Sequence, residues 1–562
     1  MYLCDNENKQ ELSKVVDKVW EKCKKGIKEN NRLDENWFIL GIDLGTTHSV
    51  VSYYNTINNR PEPIDISQGF GKIPMPSVVQ YRDEIGPEWI VGDEAYKSMI
   101  MYPDDTITSI KRKMGTNEEI QLGDKKYTPE EISAFILKEL LQHTIRLNPK
   151  GILAGVVVSV PYDFDDSAKK ATVKACQLAG LSESLICLIE EPKAAALTYH
   201  FKNTLTEGRK IMVFDFGGGT LDITVFHVSQ MTSEHIHLQV ISEGGDAYHG
   251  GDQIDDMILE KLYTIIFDET GLANDQLSKE NKVELIQTAR DIKERLSGVK
   301  KVRVPFGFCA VPFMKEITRA EMETIIEPFI KATRQLVLKT LAEGYFGAIH
   351  PSDVDIVLLE GGSSSMPWVK DMLISIFNDY EKIYSSDKPA LNISIGATYY
   401  AAIKMGLLEH PEMMAIGIGQ TVNFEITVPH DIGFEIDYGY KKDFHTMISR
   451  GTPYLLATKT QVFTLTGDTK EEMTNLKIKI LERMRKEDKI EKCRLIGEVF
   501  IEGLPERPSS KTKLKVTLSV QEDSGIVYGD IEDLGYPEMF EPSAFKASFS
   551  PNRIERTIIN AK

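Results

Sequence analysis

Two stretches far apart in the chain follow one plan. Phe38–Tyr54 reads as an apolar strand ending at Asp43, a turn of Gly45, Thr46 and Thr47, and a second apolar strand. Ile211–Phe226 repeats it with Asp215, a turn of Gly217, Gly218, Gly219 and Thr220, then Asp222 on the returning strand. A repeat at this separation implies two similar lobes facing each other. It is neither a P-loop nor a dinucleotide fingerprint, in which the glycines lead into a helix. Between two strands, glycines permit a tight turn and leave amide N–H groups free to bind phosphate oxygens. The threonines add hydroxyl donors, and two converging Asp residues suit a hydrated Mg²⁺, a hard ion that takes oxygen ligands. A third element, Asp355–Pro367, reads as strand, glycine turn at Gly361 and Gly362, then helix.

From Trp37 to about Leu408 strands and helices alternate. One helix opens at Thr128-Pro129-Glu130-Glu131 with an N-cap, Pro in the first turn and a capping-box Glu. It puts Ile132, Phe135, Ile136 and Leu140 on one face. Beyond Pro411 a connector at 416–428 leads into short strands at Ile432–Ile436, Thr460–Leu465, Asn475–Leu481, Leu495–Ile501, Leu514–Val520 and Ile526–Ile531, an all-β module. Residues 1–36 read as an amphipathic helix on Leu12, Val15, Val16, Val19, Trp20 and Cys23, either packed on its own protein or a docking arm. The resulting divisions are an N-terminal helical extension at 1–36, a two-lobed domain at 37–410, a linker at 411–429, a β domain at 430–538 and a short tail at 539–562.

Charge and composition exclude some partners. With 84 acidic against 66 basic residues the net charge is −18, which disfavours nucleic acid. No run approaches the roughly 18 apolar residues of a membrane helix. The six cysteines form no CxxC pair and no disulfide framework, as expected of free thiols in a reducing cytoplasm. Met1–Glu11 lacks a signal-peptide core. These features describe a soluble, cytoplasmic protein.

Ile42–Ser49, Phe214–Asp222 and Leu359–Pro367 resemble the three nucleotide signatures of the 70-kDa heat-shock (DnaK-type) chaperones, relatives of the actin–hexokinase–heat-shock ATPases. Ile110–Gly115, Val158–Pro161, Ile189–Ala196 and Gly245–Gly251 resemble further segments of that family. Arg450–Pro453, Gln461–Phe463 and Gly497–Pro505 resemble its β module. The likeness covers about residues 37–535, closest in style to the short HscC-like branch. It implies an α/β, two-lobed actin-like ATPase domain of duplicated ribonuclease H-like lobes, followed by an all-β sandwich that binds extended apolar segments of unfolded clients. The implied activity is ATP hydrolysis to ADP and phosphate coupled to protein folding.

Residue by residue, the resemblance implies that Asp43 and Asp215 hold waters of a Mg²⁺ shell with K⁺ beside it, and that Asp222 assists a cation. Lys111 would place the attacking water and Glu191 would order solvent and metal. Gly45, Thr46, Thr47, Thr220 and the amides of Gly217, Gly218 and Gly219 would grip phosphates. Gly250, Gly251, Lys293, Ser297, Gly361, Gly362 and Ser363 would face adenosine. The catalytic set is Lys111, Glu191, Asp215, Asp43 and Thr220. Phe463, Leu476 and Ile478 match the client pocket, and Pro161 and Lys169 the interdomain switch. A J-domain co-chaperone and a nucleotide exchange factor are the implied partners.

The sequence also departs from the family pattern. Arg290 and Glu294 exchange the usual signs at i, i+4, where they could pair with each other. Ser365 and Ala390 replace an adenine-stacking Arg and an Asp. The connector Val422–Ile426 is interrupted by Asn423 and Glu425, and Cys187 stands where a J-domain partner usually meets a basic residue. The residues after Gly535 are too few for a helical lid, so the lid is expected to be absent and client exchange fast. Two other readings are a nucleotide-binding holdase or scaffold with little turnover, and a small-molecule kinase of the same superfamily. The kinase would need an acceptor site in place of the β module.

Overall fold

The computed structural model describes residues 37–562 apart from 67–70, 84–87, 148, 163, 204, 233–234, 310, 406, 409–420, 424–427, 429, 438–440, 453–455, 465–474, 484–487, 503–511, 522–524, 537–545, 550–556 and 561–562. The expected extension at 1–36 and most of the expected linker lie outside the described residues. The chain divides into two units. The first takes in the described residues up to Lys113, Glu118–Pro161 and Lys174–Phe424; the second takes in Met114–Asn117, Tyr162–Val173 and Glu425 onward.

The first unit holds two sheets of one design. In one, Trp37–Asp43, His48–Asn55 and Arg60–Pro63 run as an antiparallel meander, and Ile152–Val160 and then Ile186–Glu190 add in parallel on the other side. In the other, Lys210–Phe216, Leu221–Thr232 and His235–Asp246 form the meander, and Ile356–Glu360 and Ile383–Ser385 add in parallel. The repeated sequence plan is therefore a repeated topology. The first strand of each sheet is buried along nearly its whole length. This is why both read as unbroken apolar runs rather than alternating ones.

Phe214, Phe216, Leu221 and Ile223 pack with Ile254, Ile258 and Leu262 of the helix Gly251–Thr270 to form the second lobe's core. The helix Pro129–Leu147 has its capping box: Glu131 accepts from the Thr128 N–H at 2.8 Å, and the Glu131 N–H donates to Thr128 Oγ1 at 3.3 Å. Ile132, Ile136 and Leu140 are buried, and Phe135 stacks on Trp89 at 4.0 Å. Two helices, Glu191–Asn203 and Asn392–Lys404, tie the sheets together. They meet at Gly396, where a Cβ would stand 1.8 Å from the Ala194 carbonyl oxygen. Of the connector, Thr421–Asn423 pairs in parallel with His235–His237 at the edge of the second sheet.

The second unit is built on two sheets. One orders Lys442–Ile448, Asp431–Asp437, Asn475–Arg483, Arg494–Glu502 and Thr557–Asn560. The other orders Thr458–Thr464, Lys513–Val520, Val527–Gly535 and Lys546–Phe549. Strict alternation along Lys513–Val520 buries Leu514, Val516, Leu518 and Val520 on one face. Sequence reading omitted Lys442–Ile448, and it treated the region after 538 as a tail, where two short strands pair into the sheets. Residues 162–173 belong to this unit. Asp166 accepts from the Val527 N–H at 2.7 Å, and Asp165 pairs with Arg494 at 3.5 Å.

Candidate active site

A cleft of about 400 Å³ in the first unit is lined by the three glycine turns. Gly45, Thr46 and Thr47 come from the first lobe, Gly217, Gly218, Gly219 and Thr220 from the second, and Gly361, Gly362 and Ser363 follow the strand Ile356–Glu360. The fit excludes a side chain at Gly218 and Gly361, whereas Gly362 has open space beside it. A Cβ on Gly218 would lie 1.8 Å from Thr47 Oγ1. Gly361 holds φ at +76°, and a Cβ there would meet Phe216 O at 2.4 Å and Asp215 Oδ1 at 2.6 Å. Thr47 Oγ1 is buried and has no hydrogen-bond partner. An unspent hydroxyl on these turns fits an oxyanion ligand such as phosphate, but the Gly217 N–H, expected to grip phosphate, is already taken by Thr220 O at 3.1 Å.

The floor of the cleft carries acid. Asp43 ends its strand, is buried, and accepts from Ser159 Oγ at 2.9 Å. Lys111, in the short helix Ile110–Lys113, donates to Glu191, the first residue of its helix, and both side chains are nearly buried. Burial opposes the Lys111 charge, but Glu191 and Asp43 outweigh it and raise the ammonium above its ordinary range. Burial, then Glu191, pushes the Asp43 carboxyl up to about 7, against Lys111 and the Ser159 hydrogen bond. Burial, then Glu191, Glu360 and Asp43, drives Asp215 well above the usual carboxylate range. These acids are short of positive charge, which fits a cation held among them. Among the described residues no three His, Cys, Asp or Glu side chains are grouped to ligate one ion directly.

The other expected site residues divide between the cleft wall and its backing. Lys293 and Ser297 line the cleft, as do Arg290, Glu294, Ser365 and Ala390. Asp222, Gly250 and Gly251 stand behind it. Asp222 accepts from Thr220 Oγ1 at 2.9 Å, and the Gly251 N–H donates to Gly217 O at 3.0 Å. Arg290 does not take Glu294 as its ion-pair partner. Its guanidinium reaches Asp255 and Asp252, each at 3.2 Å, and Lys293 joins Asp255 at 2.8 Å. Asp252 also takes Arg112 at 3.2 Å, so one carboxylate links the two walls.

In the second unit Leu476, Ile478 and Ile480 share one face of their strand, with Phe434 opposite Ile480. The Phe463 ring stands edge-on to Phe434 at 5.8 Å. Phe463, Leu476 and Ile478 are half-buried. Pro161 follows the strand Ile152–Val160 and is buried, and Lys169 is buried in the second unit with its charge bearing on Glu482. Sequence reading missed Glu360, Ser159 and Asn392. Glu360 bears the same mark as Asp43 and Asp215, an acid at the end of an apolar strand just before glycine.

The sequence matches the Hsp70 protein family over residues 39–122 and 117–535. It is 30% identical over 537 residues to Chaperone protein DnaK of Thermotoga petrophila, covering 93% of this chain and 83% of that protein. It is 34% identical over 509 residues to Chaperone protein DnaK of Ureaplasma parvum serovar 3, covering 88% of this chain and 76% of that protein.

Proposed function

The chain belongs to the Hsp70 family and is an ATP-dependent chaperone with that family's ATPase activity, and on that premise we propose that Lys111, Glu191, Asp43, Asp215 and Thr220 form its hydrolytic centre. The observation that carries this reading is the buried Lys111–Glu191 pair, set among raised carboxyls in a cleft walled by glycine turns. Phosphoryl transfer calls for positioning and electrostatics more than covalent help. The Lys111 ammonium, held charged by Glu191 and Asp43, offsets negative charge on the transferred phosphoryl group and orients the attacking water. Thr46, Thr47, Thr220 and the amides of Gly45, Gly218 and Gly219 hold the phosphate chain. Bound Mg²⁺ supplies positive charge to the phosphate oxygens; Asp43 and Asp215 would hold it through water, with Asp222 behind them and K⁺ alongside. Lys293, Ser297, Gly361, Gly362 and Ser363 face the nucleoside, with Gly250 and Gly251 supporting the turn.

Clients are extended apolar segments of unfolded chains. They pair along the second unit and seat an apolar side chain on the row of Phe463, Leu476 and Ile478. Pro161 and Lys169 transmit nucleotide state to that unit, and a J-domain protein and an exchange factor pace the cycle. Cys176, Cys187, Cys309 and Cys493 are unbridged, which supports a reducing compartment such as the cytoplasm. Among the described residues no helix is long and apolar enough to cross a membrane. Steady-state ATP hydrolysis measured with and without an unfolded apolar peptide tests the reading. Turnover that rises with peptide supports it. Turnover and peptide affinity that ignore each other would favour a nucleotide-binding holdase.

A further inference from the structure

Glu360 is a buried carboxyl that the hydrolytic scheme does not use. It ends the strand Ile356–Glu360, opposite Asp215 in the parallel register, and is only 2% exposed. Its two oxygens lie 3.2 and 2.9 Å from a single donor, Asn392 Nδ2, which also reaches Ser386 Oγ at 2.8 Å. Asn392 is the first residue of the helix Asn392–Lys404, which packs on the first lobe's strands Trp37–Asp43 and Ile152–Val160. Asn392 is also tied to the other connecting helix. Its Oδ1 accepts from Lys202 Nζ at 3.2 Å and its main-chain O from Thr198 Oγ1 at 2.6 Å. Lys202 and Thr198 lie on the helix Glu191–Asn203, which starts at the Glu191 that holds Lys111 and touches strands of both lobes.

One run of contacts thus joins the strand beside Asp215, through Glu360 and Asn392, to the helix that carries Glu191. Burying a carboxyl without a direct cationic partner is costly, and an apolar pair of similar volume would be as stable or more so. Such a polar pair defines a geometry rather than adding stability. We infer that the Glu360–Asn392 pair is a hinge clasp between the lobes and that Glu360 is a positioning residue for hydrolysis, setting Asp215 and Glu191 in register when the cleft closes.

The inference rests on the hydrolytic centre described above. Its test uses the full chain, with Glu360→Val, Asn392→Ala and the double variant, read by thermal unfolding and by kcat and KM for ATP. Asn392→Ala strands the buried Glu360 carboxyl and should lower the unfolding temperature more than Glu360→Val, which leaves Asn392 bonded to Ser386 and Lys202. The double variant removes the stranded carboxyl and should regain most of the Asn392→Ala loss. Loss of an outer-shell partner typically costs activity on the order of tenfold to a hundredfold, and the double variant should keep that loss in kcat with KM little changed. A double variant that recovers both stability and kcat makes the clasp merely structural and overturns the inference. Should the single variants fail to fold, Glu360→Met keeps the volume and removes both acceptors from Asn392 Nδ2. A lowered kcat in that variant supports the clasp, and wild-type kcat refutes it. A wild-type protein with no turnover overturns the hydrolytic reading and the clasp together, so the two failures are told apart.

Discussion

Replacing Lys111 by Ala removes the ammonium that lies against Glu191 and acts on Asp43 and Asp222. The Lys111 and Glu191 side chains are 8% and 7% exposed, so the pair is nearly buried. Deleting one member of such a pair costs about 3–5 kcal/mol, because the other charge stays buried without compensation. Asp43, already at about 7, and Asp215, held well above the usual carboxylate range, are then pushed further up. A carboxyl whose folded pKa exceeds its unfolded value near 4 binds extra protons in the fold, so its stability is greatest at low pH and falls as pH rises to the folded pKa. The deficit of Lys111→Ala relative to wild type should therefore be larger at about pH 8 than at about pH 6. Turnover should fall about 10²–10³-fold, as when one group stabilising transition-state charge is removed. Denaturant unfolding at both pH values and steady-state hydrolysis measure these effects. An equal deficit at both pH values, or unchanged kcat, would refute the placement of Lys111 among these acids.

Three other outcomes follow from the same cleft and from the β-sheets. Asp43 must shed its proton before it can help hold Mg²⁺, so the affinity for Mg²⁺–ADP should rise with pH up to about pH 7, with calorimetry detecting proton release on binding over that range; an affinity flat in pH would refute it. Gly218→Ala drives a Cβ to 1.8 Å from Thr47 Oγ1, an overpacking worth about 1–3 kcal/mol, so equilibrium binding should show ATP affinity lowered about tenfold or more. Ile478→Ser puts a hydroxyl on the apolar row beside Leu476 and Ile480, and fluorescence anisotropy should show labelled-peptide affinity lowered by about tenfold.

Asp43 and Asp215 were legible because an acid closing an apolar strand before glycine is a local pattern, and its repetition revealed the paired lobes. Glu360 carries that pattern too, but Leu359–Pro367 attracted notice for its glycines alone. Ser159 and Asn392 carry no local mark. Ser159 meets Asp43 across 116 residues of chain, and an Asn at a helix start takes its meaning from Glu360 and Lys202. For Arg290, helical spacing suggested Glu294. Two carboxylates on the neighbouring helix, Asp252 and Asp255, offer more than one exposed partner on its own helix. The strand Lys442–Ile448 escaped because it opens on Lys and Asp and buries Phe444, Met447 and Ile448 out of alternation, and its pairing shifts register at Ile432 and Gly433.

The nucleotide in the cleft should govern how long the second unit keeps a client. The dissociation rate of a labelled, unfolded apolar peptide from the full chain, with saturating ATP and with ADP, tests it most directly. Coupling between two sites of this kind is typically about 5–150-fold, and release should be faster with ATP by a factor in that range. Equal rates with the two nucleotides, in a protein that hydrolyses ATP, would contradict the claim.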